Sequence, residues 1–123
     1  TIFTIGGILK EVISASKLLI KDNIRPRIVN IHTLKPLDEN MVYKCVKETG
    51  HILTVEENST IGGLGGAISE FCMRKNVFPK KFMSLGIDDK FTSVVGDQSF
   101  LRNINSLDSK NIASHVKELI NNE

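Results

Sequence analysis

Extended, β-branched segments alternate with amphipathic segments along almost the whole chain. The segments "TIFTI", "RPRIVNIH", "HILTVEE" and "KFMSLGI" predict four short strands. Between and after them, apolar residues recur at helical spacing, which predicts three full helices, a short fourth helix and a terminal fifth. Strand–helix–strand units form right-handed crossovers, so the sequence predicts a three-layer α/β/α sandwich with a mainly parallel, Rossmann-like sheet.

Local signals predict where several of these elements end. Asn23 is expected to end the first helix, Asp38 to cap the second and Gly50 to follow its last turn. The run from Ile28 to Ile31 is apolar and β-branched apart from one residue, which is typical of a buried parallel strand. The three methionines, Met41, Met73 and Met83, are expected in the core or at its edge. Residues 88–98 carry the least regular pattern, and we expect a loop there.

Composition narrows the classes of function. The 123 residues suit one domain, so we expect residues 1–123 to form a single unit. The net charge of +2, with acids and bases interspersed, does not favour a nucleic-acid or anionic-lipid partner. No membrane-spanning run or signal peptide is visible, and the two isolated cysteines indicate buried reduced thiols in a cytoplasmic protein. The chain opens directly on a strand, which suggests a piece of a longer polypeptide.

Four glycines within five residues, in "IGGLGG", raise the question of a phosphate-binding loop. A dinucleotide-binding loop needs a third glycine where this chain has Ile68, and a Walker loop needs a lysine after Gly66. The preceding acids, Glu56 and Glu57, would repel a phosphate. The pattern therefore favours glycines required for shape, which let the third helix start close to the sheet.

The paired acids and one histidine are the other candidates for chemistry. Glu56 and Glu57 are adjacent in a strand, so their side chains point to opposite faces and do not form an acid–base pair. We expect one to brace the glycine turn and the other to meet a neighbouring domain. His32 follows the second strand, and a hydrogen-bonded structural role is favoured for it. The acids at 88, 89 and 97 lack the regular spacing of a calcium loop.

Three ordered stretches, "RPRIVNIHTLKPLDE", "TVEENSTIGGLGGAISE" and "LGIDDKF", closely resemble the C-terminal domain of the transketolase family. This family of thiamine diphosphate enzymes includes transketolase, 1-deoxyxylulose-5-phosphate synthase and the β subunits of 2-oxoacid dehydrogenases. The resemblance covers nearly the whole chain. It departs at Asn58, where the family often has histidine, and at residues 88–91, where the family often reads Pro-Asp-Arg-Phe.

The resemblance implies a structural and dimerisation module. In this family the cofactor and magnesium bind between two other domains, through motifs that this chain lacks. No catalytic, cofactor-binding or metal-binding residue is therefore expected here, and thiamine diphosphate with Mg²⁺ belongs to the parent enzyme. That parent is expected to transfer a two-carbon ketol unit between sugar phosphates, with the isolated domain inert. Its partners would be the N-terminal cofactor-binding domains, in the same chain or a separate subunit, within a homodimer.

The resemblance also implies where the rest of the enzyme would lie. We expect an interdomain or dimer interface formed by Glu56, Glu57, Asn58, Ser59, Gly62, Gly63, Gly65 and His32. The motif forms and the tail from Asp97 resemble transketolases split into two polypeptides most, and 1-deoxyxylulose-5-phosphate synthases slightly less. Two alternatives remain open: a partner-docking domain of a 2-oxoacid dehydrogenase β subunit, and a regulatory domain that binds a nucleotide or anion at a glycine turn.

Overall fold

In the part of the chain that the structure describes, four parallel strands form one sheet. The computed structural model describes residues 1–88 and 94–121. The strands are β1 (Ile2–Thr4), β2 (Ile28–Asn30), β3 (His51–Ser59) and β4 (Lys81–Ile87). Their order across the sheet is β2–β1–β3–β4. Strand β3 has neighbours on both sides and spans nine residues, so it reaches further than β1 toward the carboxyl edge of the sheet.

Five helices surround the sheet in the described residues. They are α1 (Leu9–Lys21), α2 (Glu39–Thr49), α3 (Leu64–Lys75), α4 (Gln98–Ile104) and α5 (Ser109–Asn121), and a 3₁₀ turn at Gly6–Ile8 precedes α1. The predicted elements are therefore present. Of the predicted loop at 88–98, residues 89–93 lie outside the described part, residues 94–97 are irregular, and α4 begins at Gln98.

The alternation of side chains along the strands separates two hydrophobic cores. Leu53 and Val55 of β3 pack with α1 and α5 on one face. Ile52 packs with α2 and α3 on the other, together with Phe3 of β1. Because helices cover both faces of a parallel sheet, the predicted three-layer α/β/α sandwich is confirmed.

The predicted ends of α1 and α2 are confirmed in detail. Asn23 follows α1 in the left-handed region, with φ of 59°. The Asp38 carboxylate accepts a hydrogen bond from the Met41 backbone N–H at 3.0 Å, which satisfies one free donor at the start of α2. Gly50 ends α2 with φ of 69°, a conformation that glycine adopts without steric cost.

Two predictions about burial are wrong. Strand β2 is parallel but lies at the sheet edge, so Ile28 and Val29 are only partly buried and Ile31, beyond the strand, is the buried residue. Met41 and Met73, expected in or beside the core, are exposed, Met73 by 67%. In both cases the apolar pattern does not reveal how many neighbouring elements cover a residue.

Two further expectations concern the state of the cysteines and whether any helix is long and apolar enough to span a membrane. Cys45 and Cys72 are buried and not in a disulfide, as predicted. Across residues 1–88 and 94–121, each helix is too short or too polar to cross a bilayer.

Candidate functional site at the carboxyl edge of the sheet

The end of β3 and the glycine turn after it meet at the carboxyl edge of the sheet. The pairing of β3 with β4 is irregular between Val55 and Ser59. The Thr60 N–H then donates to the Ile87 carbonyl oxygen at 3.1 Å, which holds the start of the turn against the end of β4. In parallel α/β sheets this edge is where functional groups collect, so its side chains are the candidates for a site.

Glu56 is buried beneath the glycine turn, with 1% of its surface exposed. Its Oε2 accepts from the Leu64 N–H at 2.9 Å, and its Oε1 accepts from the Gly65 N–H at 3.1 Å. These two donors lie in the first turn of α3 and have no partner within the helix. A carboxylate is also favourable at the positive end of a helix dipole. Glu56 is thus the glutamate that braces the turn.

The glycines of the turn leave room for this arrangement. A Cβ on Gly63 would lie 2.1 Å from Glu56 Oε2, and a Cβ on Gly65 would lie 2.2 Å from Ser84 Oγ. Gly62 has φ of +76°, which disfavours other residues, whereas a Cβ on Gly66 would meet nothing within 4 Å. Three of the four glycines are therefore required by shape, in agreement with the sequence interpretation.

The described residues do not fit a bound diphosphate with its metal ion at this turn. A phosphate at the start of α3 would need the N–H groups of Leu64 and Gly65, which the Glu56 carboxylate occupies. The negative charge of Glu56 would also repel it. Within residues 1–88 and 94–121, no cluster of three or more His, Cys, Asp or Glu side chains could hold a metal ion.

Glu57 points to the opposite face of β3, as the strand alternation predicts, and binds Arg102 of α4. Arg102 Nε donates to Glu57 Oε1 at 2.6 Å. Arg102 Nη2 donates to the Gly7 carbonyl oxygen at 3.2 Å, and its Nη1 lies 3.6 Å from Glu11 Oε1. The Arg102 side chain is only 10% exposed. The hydrogen bond with Glu57 raises the pKa of Arg102 further above its ordinary value, so the guanidinium is charged.

Sequence reasoning missed Arg102 as the partner of Glu57. The two residues are 45 positions apart, and strand alternation indicates only the face to which Glu57 points. One feature of the sequence could have indicated the pair. Glu57 points to the face of the sheet that α1 and α5 cover, where an acid needs a basic partner, and Arg102 is a basic residue in the predicted short helix. Glu57 therefore has a partner within its own chain.

The other predicted interface residues divide between the turn and the end of β2. Asn58 is exposed, and Ser59 Oγ accepts from the Ile61 N–H at 3.1 Å. Ile61 itself projects from the turn with 72% of its surface exposed. His32 is exposed beyond the end of β2, with Nδ1 2.7 Å from Thr33 Oγ1. Because β1 lies between β2 and β3, the fold places His32 at the same edge but apart from the turn.

Comparisons with known proteins relate this chain to a single family. Residues 1–96 match the family described as transketolase, C-terminal domain. The 1-deoxy-D-xylulose-5-phosphate synthase of Chlorobium luteolum is 37% identical over 119 residues, which cover 95% of this chain and 18% of that enzyme. A Methanocaldococcus jannaschii protein named as a transketolase C-terminal section is 34% identical over all 123 residues, or 37% of its own length.

A solved structure shows the same fold. A split-gene transketolase, described as an inactive β4 tetramer, superposes with a TM-score of 0.85 and 26% sequence identity, over 96% of this chain and 38% of that chain. This chain thus spans about a fifth of the synthase and less than two fifths of each of the other two proteins.

Proposed function

The chain belongs to the transketolase C-terminal domain family, and from this premise we propose that it is the C-terminal structural and docking domain of a thiamine-diphosphate-dependent transketolase. That enzyme transfers a two-carbon ketol unit between sugar phosphates. The proposal depends chiefly on the 34% identity to a transketolase C-terminal section over every residue of the chain. Residues 1–123 form one domain of the parent enzyme in this proposal.

The domain contributes a surface to the enzyme and no catalytic group. The helix N-terminus that could bind a phosphate is occupied by Glu56, which supports this assignment. Thiamine diphosphate and Mg²⁺ bind to the other domains, where the cofactor supplies the carbanion chemistry. This chain's residues shape and present a surface to those domains.

We define the docking surface as Glu56–Ser59, Gly62, Gly63, Gly65 and His32, together with the exposed Ile61. Its proposed partners are the cofactor-binding domains of the same enzyme and the second subunit of a cytoplasmic homodimer. Asn58 and Ile61 are exposed and would contact the partner directly. Glu56 is buried, so its contribution is to hold the turn in shape.

A second candidate is the C-terminal domain of a 1-deoxy-D-xylulose-5-phosphate synthase. The 37% identity to the Chlorobium luteolum enzyme and the 31% identity to the Aquifex aeolicus enzyme over 97% of the chain support it. The two candidates share the docking role and differ in the acceptor and donor of the parent enzyme. An activity assay on the complete protein distinguishes them.

The experiment is to isolate the native protein that carries this segment, measure its intact mass and assay it. The proposal predicts a larger polypeptide, or a second polypeptide that co-purifies with it, and thiamine-dependent ketol transfer between sugar phosphates. Formation of 1-deoxyxylulose 5-phosphate instead would select the second candidate. A native 123-residue chain without a co-purifying polypeptide and without either activity would contradict both.

A further inference from the structure

Strand β4 lies at the edge of the sheet and is open along one side. Among the strands that the structure describes, its single neighbour is β3. Every residue from Lys81 to Ile87 is partly exposed. Beside the strand, Met73 and Phe78 are 67% and 59% exposed and line a cleft together with Phe82. A long edge strand offers unpaired backbone groups to any strand that can lie beside it.

The hydrogen bonds of the sheet identify which backbone groups of β4 point outward. The Lys81 N–H donates to the Gly50 carbonyl oxygen at 3.2 Å, and the Ile87 carbonyl oxygen accepts from the Thr60 N–H at 3.1 Å. Both ends of β4 therefore bond toward β3 through odd-numbered residues, and successive residues alternate in direction. Three residues direct their N–H and C=O groups away from the sheet: Phe82, Ser84 and Gly86.

These three residues make β4 complementary to itself. In an antiparallel pair centred on Ser84, that residue lies opposite its own copy and Phe82 lies opposite Gly86, so all three exchange backbone hydrogen bonds. The aromatic ring then faces a residue without a side chain, a favourable cross-strand arrangement. Centring the pair on Phe82 or on Gly86 instead would leave one outward residue of each strand beyond the end of the other.

The charges beside the strand favour the same register. Lys80 and Asp88 flank β4, and pairing centred on Ser84 places each of them opposite the other across the two copies. Facing charges of opposite sign stabilise a strand pair, and like charges destabilise it, by about 0.2–1 kcal/mol. On the other face of the sheet, Met83 lies opposite Leu85, and both are partly buried apolar residues that pack against the core.

We propose that the outer edge of β4 binds the β4 strand of a second copy of the same protein. The two strands are antiparallel and related by a two-fold axis at Ser84, so the two sheets join into one sheet of eight strands. This surface is the side of the sheet and not its carboxyl edge. The inference therefore goes beyond the proposed function and does not depend on it.

The first test measures amide exchange in β4 at high and low concentrations of the complete protein that carries this segment. We expect the N–H groups of Phe82, Ser84 and Gly86 to exchange slowly at high concentration and about tenfold faster after dilution. Those of Met83 and Leu85 are the internal control, because they bond to β3 in either state. Fast exchange of the outward groups at both concentrations would overturn the proposal.

The second test uses a carbodiimide, which joins an amine to a carboxylate that it contacts. Within one copy, Lys80 and Asp88 lie at opposite ends of a seven-residue strand, about 26 Å apart. A crosslink between these positions therefore joins two copies, and a mixture of isotopically light and heavy protein confirms this. Outward amides that stay protected after dilution, in a protein that gives no such crosslink, would mean that something other than β4 covers the edge and would overturn the proposal.

Charge-reversed variants test the register through the association constant, measured by sedimentation. Lys80→Glu places like charges opposite each other twice, so we expect association to weaken about tenfold. Adding Asp88→Lys to that variant restores opposite charges and should restore association. Lys44→Glu is the matched control, because Lys44 is also an exposed lysine but lies on α2, and it should change nothing. Equal effects of Lys80→Glu and Lys44→Glu, or no recovery in the double variant, would contradict pairing centred on Ser84.

Discussion

Glu56 and Glu57 are neighbours in sequence and have opposite surroundings. Glu56 lies under the glycine turn, and its two side-chain oxygens accept hydrogen bonds from backbone N–H groups at the start of α3. Glu57 lies on the other face of β3, is partly exposed, and pairs with Arg102 of α4. The first carboxylate fixes a turn close to it in sequence, whereas the second joins elements that are far apart.

This difference explains why the glycine-rich turn resembles a phosphate loop without the chemistry of one. The turn provides free N–H groups at a helix start, the feature that phosphate loops use. In this chain a side chain of the protein itself occupies that position. The Glu56 carboxylate stabilises the turn, which supports the proposal that this edge is a surface for another domain.

The largest expected loss of stability comes from removing the Glu56 carboxylate beneath the glycine turn. Glu56→Ala would leave two buried N–H groups without an acceptor, and we expect a loss of about 3 kcal/mol in the free energy of unfolding. Glu57→Ala should cost about 1 kcal/mol, because Glu57 is partly exposed and Arg102 keeps the Gly7 carbonyl oxygen and Glu11 as partners. Denaturant titrations of both variants measure the difference. Equal losses would show that the two carboxylates do not play different roles.

A methyl group placed in the turn should have the next largest effect. Gly63→Ala would push a Cβ against the bound Glu56 carboxylate, so we expect a destabilisation of about 2 kcal/mol. Gly66→Ala is the control, since its Cβ would enter open space and alanine favours the helix by about 0.5–1 kcal/mol. Thermal unfolding of the two variants tests this. A stable Gly63→Ala variant would contradict the shape interpretation of the turn.

The Glu57–Arg102 pair should show measurable coupling, unlike the exposed pair between α2 and α3. In a double-mutant cycle with Glu57→Gln and Arg102→Met, we expect about 1 kcal/mol of coupling, because Arg102 is largely buried. The same cycle on Glu39 and Arg74, both well exposed, should give about 0.3 kcal/mol. If the coupling energy between Glu39 and Arg74 equalled or exceeded that between Glu57 and Arg102, burial of Arg102 would not be what strengthens its ion pair.

The smallest expected effect is a pH dependence at the start of α5. Burial raises the pKa of Asp108, but hydrogen bonds from Asn111 and from the backbone N–H of Lys110 outweigh it and hold this pKa below its ordinary value of 3.8. The stabilisation is therefore complete above about pH 4 and is lost as the pH falls through the lower, folded-state pKa. Asp108→Asn should reduce stability near neutral pH and weaken its decline in acid, as measured by unfolding between pH 2 and 7. If the free energy of unfolding of Asp108→Asn fell in acid as steeply as that of the unaltered protein, this prediction would be contradicted.

Periodic patterns predicted the part of the structure that depends on neighbours in sequence. Strand alternation correctly separated Glu56 from Glu57, and cap chemistry identified Asp38 and Gly50. The spacing of the glycines indicated a requirement for shape, which the close approach of Gly63 to Glu56 supports.

Features that depend on distant parts of the chain were not predictable in the same way. The edge position of β2 follows from the strand order, which a local pattern does not contain. The exposure of Met73 depends on which elements cover α3. Arg102 became recognisable as the partner of Glu57 only once the fold had brought α4 beside the end of β3. The interface role of the docking surface stays a prediction.

The most direct test of the central claim places a photo-crosslinking amino acid at position 61 of the complete native protein. Position 20 is the control, because Ile20 is also exposed but lies near the end of α1. The account predicts that position 61 crosslinks to the cofactor-binding part of the enzyme or to the second subunit, and that position 20 does not. Crosslinks from position 20 alone would show that the rest of the enzyme lies elsewhere, and the carboxyl edge would not be its docking surface.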